Sequence, residues 1–225
     1  MPDIVLYTAV SKGYDDLKAP PENWIIGANC VAFSDDSLLA PPWENRPLHR
    51  EFSDPCRNAK IHKILPHIYF PHAEFSVWLD GSVKVTAEIG LREFIASHLS
   101  GCDLAVFRHR RRRCVYQEAA ICIAKGKDFA DTINRQMLKY RTEGYPEGAG
   151  LAECTILIRR HSERIRTFNE MWYAEIMNHS RRDQLSFNYV AHRLGLKFEY
   201  IAGTIKDNPY FKRLPHKQRG RSQYV

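Results

Sequence analysis

The sequence has no apolar run near the roughly 20 residues that a membrane-spanning helix needs. Its first residues, Met1-Pro2-Asp3-Ile4-Val5-Leu6-Tyr7, enter a strand-like run without the basic and apolar regions of a signal peptide, so a cytosolic location is expected. The six cysteines (Cys30, Cys56, Cys102, Cys114, Cys122, Cys154) stand singly. With no C-x-x-C pair, a zinc knuckle or dithiol redox centre is excluded, and buried reduced thiols are expected. The glycine-rich loop Glu143–Gly150 has neither the G-x-G-x-x-G nor the Walker spacing, which excludes it as a phosphate cradle of those kinds. A G-x-S-x-G elbow and an H-E-x-x-H helix are also missing, which counts against a serine or zinc hydrolase. No internal repeat or domain-splitting linker is present, so one domain is expected.

What is present suits a single good-sized core: 225 residues, 44% of them hydrophobic and 12% aromatic. A net charge of +7 gives at least one positive face, suited to nucleic acid, an acidic membrane surface or a nucleotide diphosphate.

The stretch that organises the chain is Ser76-Val77-Trp78-Leu79-Asp80-Gly81-Ser82-Val83-Lys84-Val85. An apolar strand breaks there at an acid and a glycine, and a carboxylate at the end of a central strand is costly unless it faces solvent, a metal or a cation. Upstream, Asp3 to Val10 reads as a strand ending in the polar turn Ser11–Asp16, and Trp24 to Phe33 as a second strand closed by Ser34-Asp35-Asp36. Two early strands that end this way resemble the start of an open α/β sheet, whose ligands sit beyond the carboxyl ends of the strands. Leu38 to Phe52, with Pro41, Pro42 and Pro47, reads as a loop.

Asp54-Pro55 is a strong helix start, and Ile61, Ile64, Leu65 and Ile68 form its apolar stripe. Counting back four residues from Ile61 places Arg57 on the same stripe in the first turn. It is expected to reach past the sheet toward an anion, with Lys60 one turn on; the competing reading pairs Arg57 with Asp54 or Glu51. Helices follow over Thr86–Leu99, Val115–Ala124, Asp128–Tyr140, Glu163–Met177 and Asp183–Leu194, and strands over Asp103–Phe107, Leu151–Ile158 and Lys197–Ile201. The basic run Arg108–Arg113 directly follows a strand, and the chain from Gly203 is expected to be an irregular basic tail carrying Lys206, Lys212, Arg213, His216, Lys217, Arg219 and Arg221. The expected division is therefore a domain over residues 1–202 and a tail over 203–225.

Asp35, Arg57, Lys60, Asp80, Ser82, Glu153, Asp183 and His216 can converge on one sheet edge. Cations beside an acid-glycine-polar turn are what a sugar nucleotide requires, because its diphosphate needs positive charge. A divalent metal on a carboxylate would serve the same end, and hard oxygen ligands favour magnesium or manganese over zinc.

Several stretches resemble one family: Tyr7-Thr8-Ala9 with Gly13-Tyr14-Asp15, the run Arg57–His67, Trp78-Leu79-Asp80-Gly81-Ser82, Leu151–Thr155, and Asp183-Gln184. The family is the glycosyltransferase-like one once catalogued as a domain of unknown function, with plant members named for mucilage glycan synthesis and for an alkaline-ceramidase-like activity. The resemblance spans Ile4 to Leu194 and implies an α/β fold: a single GT-A-like nucleotide-binding domain with a mostly parallel mixed sheet flanked by helices. It implies a nucleotide-sugar donor and a glycan or glycolipid acceptor, with Thr8, Ala9 and Asp35 bordering base and ribose and Arg57 and Lys60 approaching the diphosphate. Asp80 falls where such enzymes carry D-x-D, here with Ser82 in the third position. Asp80, Ser82 and His216 are thus the implied ligands of manganese or magnesium, and Glu153 and Asp183 the implied acceptor-binding acids or general base. His109, Arg113, Tyr116 and Glu118 look like a further block of the same family, which turns the arginine run away from nucleic acid.

Three functions compete at this point. The leading one is transfer of a sugar from a nucleotide donor. The second is hydrolysis of an amide or ester bond in a lipid. The third is non-catalytic binding of nucleic acid or an anionic surface through Arg108–Arg113 and the basic tail, which would weaken steeply with salt. The tail also suits peripheral association with the inner face of a membrane.

Overall fold

The computed structural model describes residues 4–35, 40–49 and 51–216. Asp36, Leu38 and the tail residues Lys217, Arg219 and Arg221 lie outside the described residues. The strands are β1 (Ile4–Val10), β2 (Asn29–Ser34), β3 (Glu44–Pro47), β4 (Phe75–Leu79), β5 (Val83–Val85), β6 (Leu104–Arg108), β7 (Ala152–Arg160), β8 (Glu199–Ile201) and β9 (Phe211–Arg213). The helices are α1 (Glu22–Ile25), α2 (Pro55–Ile64), α3 (Pro66–Tyr69), α4 (Leu91–His98), α5 (Val115–Ala124), α6 (Ala130–Thr142), α7 (Glu163–Asn178) and α8 (Phe187–Arg193), with a 3-10 turn at Asp183–Leu185.

Seven strands form one mixed sheet in the order β3-β2-β1-β4-β7-β6-β8. It is mostly parallel, with β7 antiparallel to both its neighbours, β4 and β6. The α/β class with flanking helices is as the resemblance implied.

Side chains alternate across each strand, so the sheet is apolar on both faces. Val5, Tyr7, Val31, Phe33, Trp78 and Leu157 join one core with α5, α6, α7 and α8. Ile4, Leu6, Ala32, Val77, Leu79 and Ile156 join the other with Trp24, α4 and the small sheet of β5 and β9.

Several expectations differ from what forms. Trp24 to Ile26 is not strand: Pro21 caps the short helix α1, and the strand begins only at Asn29. The proline-rich stretch contains β3, an edge strand pairing parallel to β2 with Val31 opposite Glu44, a position where proline is tolerated. The stretch expected as an irregular tail from Gly203 stays packed to the body as far as β9, where Phe211 pairs with Val85 and is buried.

α2 starts as expected, with the Asp54 carboxylate accepting from Cys56 N at 2.9 Å and Pro55 in the first turn. Its apolar stripe does not continue: Pro66 ends it, and Ile68 is exposed. The buried face of α2 carries Asn58, His62 and Lys63 as well as Ile64. Its C-terminal carbonyls are met by groups from two strands. Tyr7 Oη donates to Lys63 O at 3.0 Å, and the Arg159 guanidinium, fully buried in β7, donates to the same carbonyl at 2.7 Å. A cation at a helix C-terminus is stabilising there, and these bonds fix where Lys63 stands.

Burial pushes the imidazole of His62 down to about 3, with His49 adding to the effect, and that of His161 down to about 4, with Arg159 next. Both values lie below those of the unfolded chain, so the stability they carry is complete above about pH 6.5 and is lost as pH falls through the folded values. We expect the unfolding free energy to drop from about pH 6.5 downward, by up to about 1.4 kcal/mol per pH unit for each imidazole. Urea titrations at stepped pH would show this, and a flat profile between pH 7 and 5 would refute it.

Candidate functional site

The parallel strands β1, β2 and β4 all end on one side of the sheet, the side on which open α/β folds bind ligands. β6 ends there too, and the antiparallel β7 starts there. The register of β6 on β7 jumps at this end: Val106 pairs with Leu157, and Phe107 with Glu153. A break of this kind re-aims side chains, and it sets Glu153 at the sheet edge.

An open cavity of ≈ 520 Å³ lies over this edge. Seven lysine and arginine side chains line it (Lys60, Lys63, Arg112, Lys125, Lys127, Arg182, Arg213), against four carboxylates (Asp80, Glu118, Glu153, Asp183). The excess of positive charge fits an anionic ligand.

One ion-pair cluster at the cavity centres on Asp183. Asp183, in the 3-10 turn, receives Lys60 Nζ at 2.5 Å and Lys63 Nζ at 2.8 Å on the same oxygen. Lys63 Nζ also lies 3.1 Å from Asp80 Oδ1, to which the Trp78 indole N–H donates at 2.7 Å. Burial raises the Asp183 carboxyl, but Lys60, Lys63 and Arg182 outweigh it and hold the group well below the ordinary carboxylate range. Burial would likewise lower Lys63, and Asp183 and Asp80 outweigh it, so the ammonium stays charged. Asp183 is therefore a poor proton acceptor and a strong anchor for cations.

A second cluster comprises His109, Glu118 and Glu153. His109 follows β6, its amide donating to Leu151 O at 2.8 Å, and its Nε2 lies 3.8 Å from Glu118 and 4.0 Å from Glu153. Its Nδ1 accepts the amide of Arg112 at 3.0 Å. Burial lowers its pKa against the opposing pull of Glu118 and Glu153, so the ring favours the neutral form. The second oxygen of Glu153 accepts from Thr155 Oγ1 at 2.8 Å. Arg112 pairs with Glu118.

The structure brings Lys60, Asp80, Glu153, Asp183 and His216 to the cavity. Arg57 goes elsewhere: its guanidinium donates to Ile176 O and His179 O at the end of α7 and lies 3.7 Å from Asp54. The C-terminal carbonyls of a neighbouring helix supply the negative potential that an anion was expected to supply. Thr8 is buried on the face of Ile4 and Leu6, pairs in register with Ala32, and does not line the cavity. Ala9 packs against the opposite core. Asp35 accepts the Lys12 amide at 2.8 Å and so ties the turn after β1 to the end of β2. Ser82 is buried outside the cavity lining, and its carbonyl accepts from Leu214 N at 2.8 Å.

Gly81 is needed where it is. A Cβ there would stand 2.7 Å from Val10 Cγ2 and 3.0 Å from Asp15 Cβ, so the turn after β1 packs directly on its backbone. Asp15 in turn bonds His216 Nδ1 at 2.8 Å, and Tyr14 lies against the imidazole with ring centroids 4.7 Å apart.

The implied metal does not find its donors in this arrangement. Among the described residues no group of three His, Cys, Asp or Glu could hold a metal ion. Ser82 is outside the cavity, and Asp80 Oδ1 is already taken by Lys63 and Trp78.

Sequence reasoning passed over Lys63, His109, Arg112 and Arg182 as site residues. The spacing of three between Lys60 and Lys63 was a usable signal, because residues three apart share a helix face. The arginine run divides in three dimensions: Arg108 lies over the Tyr200 ring at 4.4 Å, Arg112 turns into the cavity, and Arg110 and Arg111 are exposed. Among the described residues no helix is long and apolar enough to cross a membrane.

The chain is 27% identical over 232 residues to a probable hexosyltransferase, MUCI70, of Arabidopsis thaliana, covering 91% of this chain and 40% of that protein. It is 25% identical over 156 residues to the alkaline ceramidase TOD1 of the same plant, covering 65% of this chain and 34% of that protein. The chain thus spans well under half the length of either relative. Among solved structures, a glycosyltransferase involved in the glycosylation of the major capsid of PBCV-1 matches with a TM-score of 0.46 and 11% identity, over 88% of this chain and 81% of the other. Residues 47–212 match the TOD1/MUCI70, glycosyltransferase-like domain, and the chain belongs to that family.

Proposed function

We propose that the chain is a glycosyltransferase that moves a sugar from a nucleotide-sugar donor to a hydroxyl of a glycan or glycolipid. The observation that carries this reading is one cavity lined both by the cations Lys60, Lys63 and Arg182 and by the carboxylate of Glu153 beside His109. The cations suit the donor's diphosphate, and Glu153 suits the acceptor. The acceptor hydroxyl gives its proton to the Glu153 carboxylate as its oxygen bonds to the anomeric carbon. The bond from that carbon to the diphosphate breaks, and the electron pair leaves on the diphosphate, where fixed cations stabilise it.

The lipid-hydrolase reading gains nothing from the thiols at the cavity. Cys56, Cys122 and Cys154 line it, but burial raises each of them and keeps them as unreactive thiols.

A thermal-shift screen of UDP, GDP and their hexose conjugates tests the proposal. At ligand concentrations about 100 times Kd the stabilisation is about 2.7 kcal/mol, and the expected rise in Tm is on the order of 5–10 °C. No shift with any of these ligands would overturn it.

A further inference from the structure

We propose that the donor's diphosphate is neutralised here by side-chain cations rather than by a divalent metal, and that Asp80 serves to hold Lys63 in place. This inference rests on the glycosyltransferase reading above and goes beyond it, since the resemblance implied a metal on Asp80.

Four observations carry it. Asp80 Oδ1 accepts both the Lys63 ammonium, at 3.1 Å, and the Trp78 indole, at 2.7 Å. Lys63 has nowhere to withdraw: its side chain is 2% exposed and also bonded to Asp183 at 2.8 Å. A divalent ion on Asp80 would meet a fixed positive charge on the same carboxylate, which opposes its binding. Ser82 offers no replacement ligand, because it is buried outside the cavity. Finally, the cations needed in place of a metal are present. Lys60 and Lys63 converge on Asp183, and Arg182 lines the cavity, with Nη2 donating to Gln184 Oε1 at 3.3 Å. A guanidinium that lines a cavity is suited to a phosphate oxygen.

In this arrangement Lys60 and Arg182 meet the diphosphate oxygens, and Lys63 is the fixed charge beneath them. Asp80 and Asp183 are positioning residues that keep the cluster from repelling itself apart when no anion is bound. The leaving electron pair is stabilised by charges whose geometry is set before the donor arrives, so little reorganisation is needed.

The test is calorimetry of UDP and GDP with the full chain, once in EDTA and once in manganese. The expected result is a Kd in EDTA within about threefold of that in manganese. Asp80→Asn keeps an oxygen for Lys63 and Trp78 while removing a negative charge near the diphosphate. It is expected to bind the nucleotide in EDTA as tightly as the parent chain or more tightly, whereas a metal ligand would show the opposite sign. Lys60→Ala and Arg182→Ala are each expected to weaken the nucleotide about tenfold or more in EDTA, the size expected for a lost charged hydrogen bond. Their binding of uridine or guanosine should not change. Thermal melts run alongside confirm that each variant is folded. Binding that requires manganese and is lost in Asp80→Asn would overturn the inference and leave the transferase reading standing. No binding of either nucleotide under either condition would overturn both.

Discussion

Replacing Asp183 by asparagine is expected to destabilise the fold by about 3–5 kcal/mol, the size found when one partner of a buried ion pair is removed. For a chain of this length that is on the order of 10 °C in Tm. The reason lies in what remains behind. Lys60 Nζ and Lys63 Nζ stand 2.5 and 2.8 Å from one Asp183 oxygen, with side chains 15% and 2% exposed. Without the carboxylate, two largely buried ammonium groups face each other, and Asp80 alone is left to compensate. Burial raises the Asp183 carboxyl, yet Lys60, Lys63 and Arg182 hold it well below the ordinary range. Its contribution is therefore complete above about pH 4, the unfolded value, and is lost only as pH falls toward the depressed folded one. Denaturant unfolding of the two proteins at neutral pH measures the difference directly. Lys63→Met in the Asp183→Asn background should restore part of the loss, because it removes the stranded charge, and the cycle gives the coupling between the two residues. A loss under about 1 kcal/mol would mean that the pair behaves as a solvent-screened one.

Glu153→Gln is expected to lower kcat by about 10²–10⁴-fold, the usual contribution of a positioned base, with nucleotide affinity unchanged within about twofold. Glutamine keeps the shape and the acceptor oxygen that Thr155 Oγ1 uses at 2.8 Å, but it cannot take a proton. Glu153 contacts Thr155 and His109 and pairs with neither Lys60 nor Lys63, so its loss should leave diphosphate binding alone. Release of UDP from a UDP-hexose in the presence of an acceptor that supports turnover provides the rate. Retention of more than about a third of the rate would remove Glu153 as the base. The nearby imidazole of His109, held toward the neutral form by burial, is the group that such a result would bring forward.

Much of the frame was legible in the residues. Strands buried on both faces read as continuous apolar runs, so β1, β4, β6 and β7 were recognisable, and the Asp54-Pro55 start of α2 followed from its capping chemistry. The rule that ligands sit at the carboxyl ends of parallel strands was enough to bring Asp80 and Glu153 to the same edge. Periodicity failed where burial is polar. α2 hides Asn58, His62 and Lys63, and a stripe search for apolar residues reads such a face as the solvent side. It therefore promoted Arg57, which fills a need of α7, and passed over Lys63, which fills a need of the site. The proline-rich β3 and the one-turn α1 were missed because short edge elements are held by a neighbouring strand or helix more than by their own pattern.

Composition and pattern were sufficient for the α/β class, the positive character of the molecule and the placing of an acid at the end of β4. Those properties depend on local sequence and on the energy of burying apolar surface, both of which are written along the chain. Which cation meets which acid was decided only when α2, the start of β7 and the turn before α8 were packed over one sheet edge. Lys63 and Asp183 are separated by most of the chain and bond at 2.8 Å. An ion pair of this kind depends on distance and on exclusion of water, and neither exists until the fold has formed.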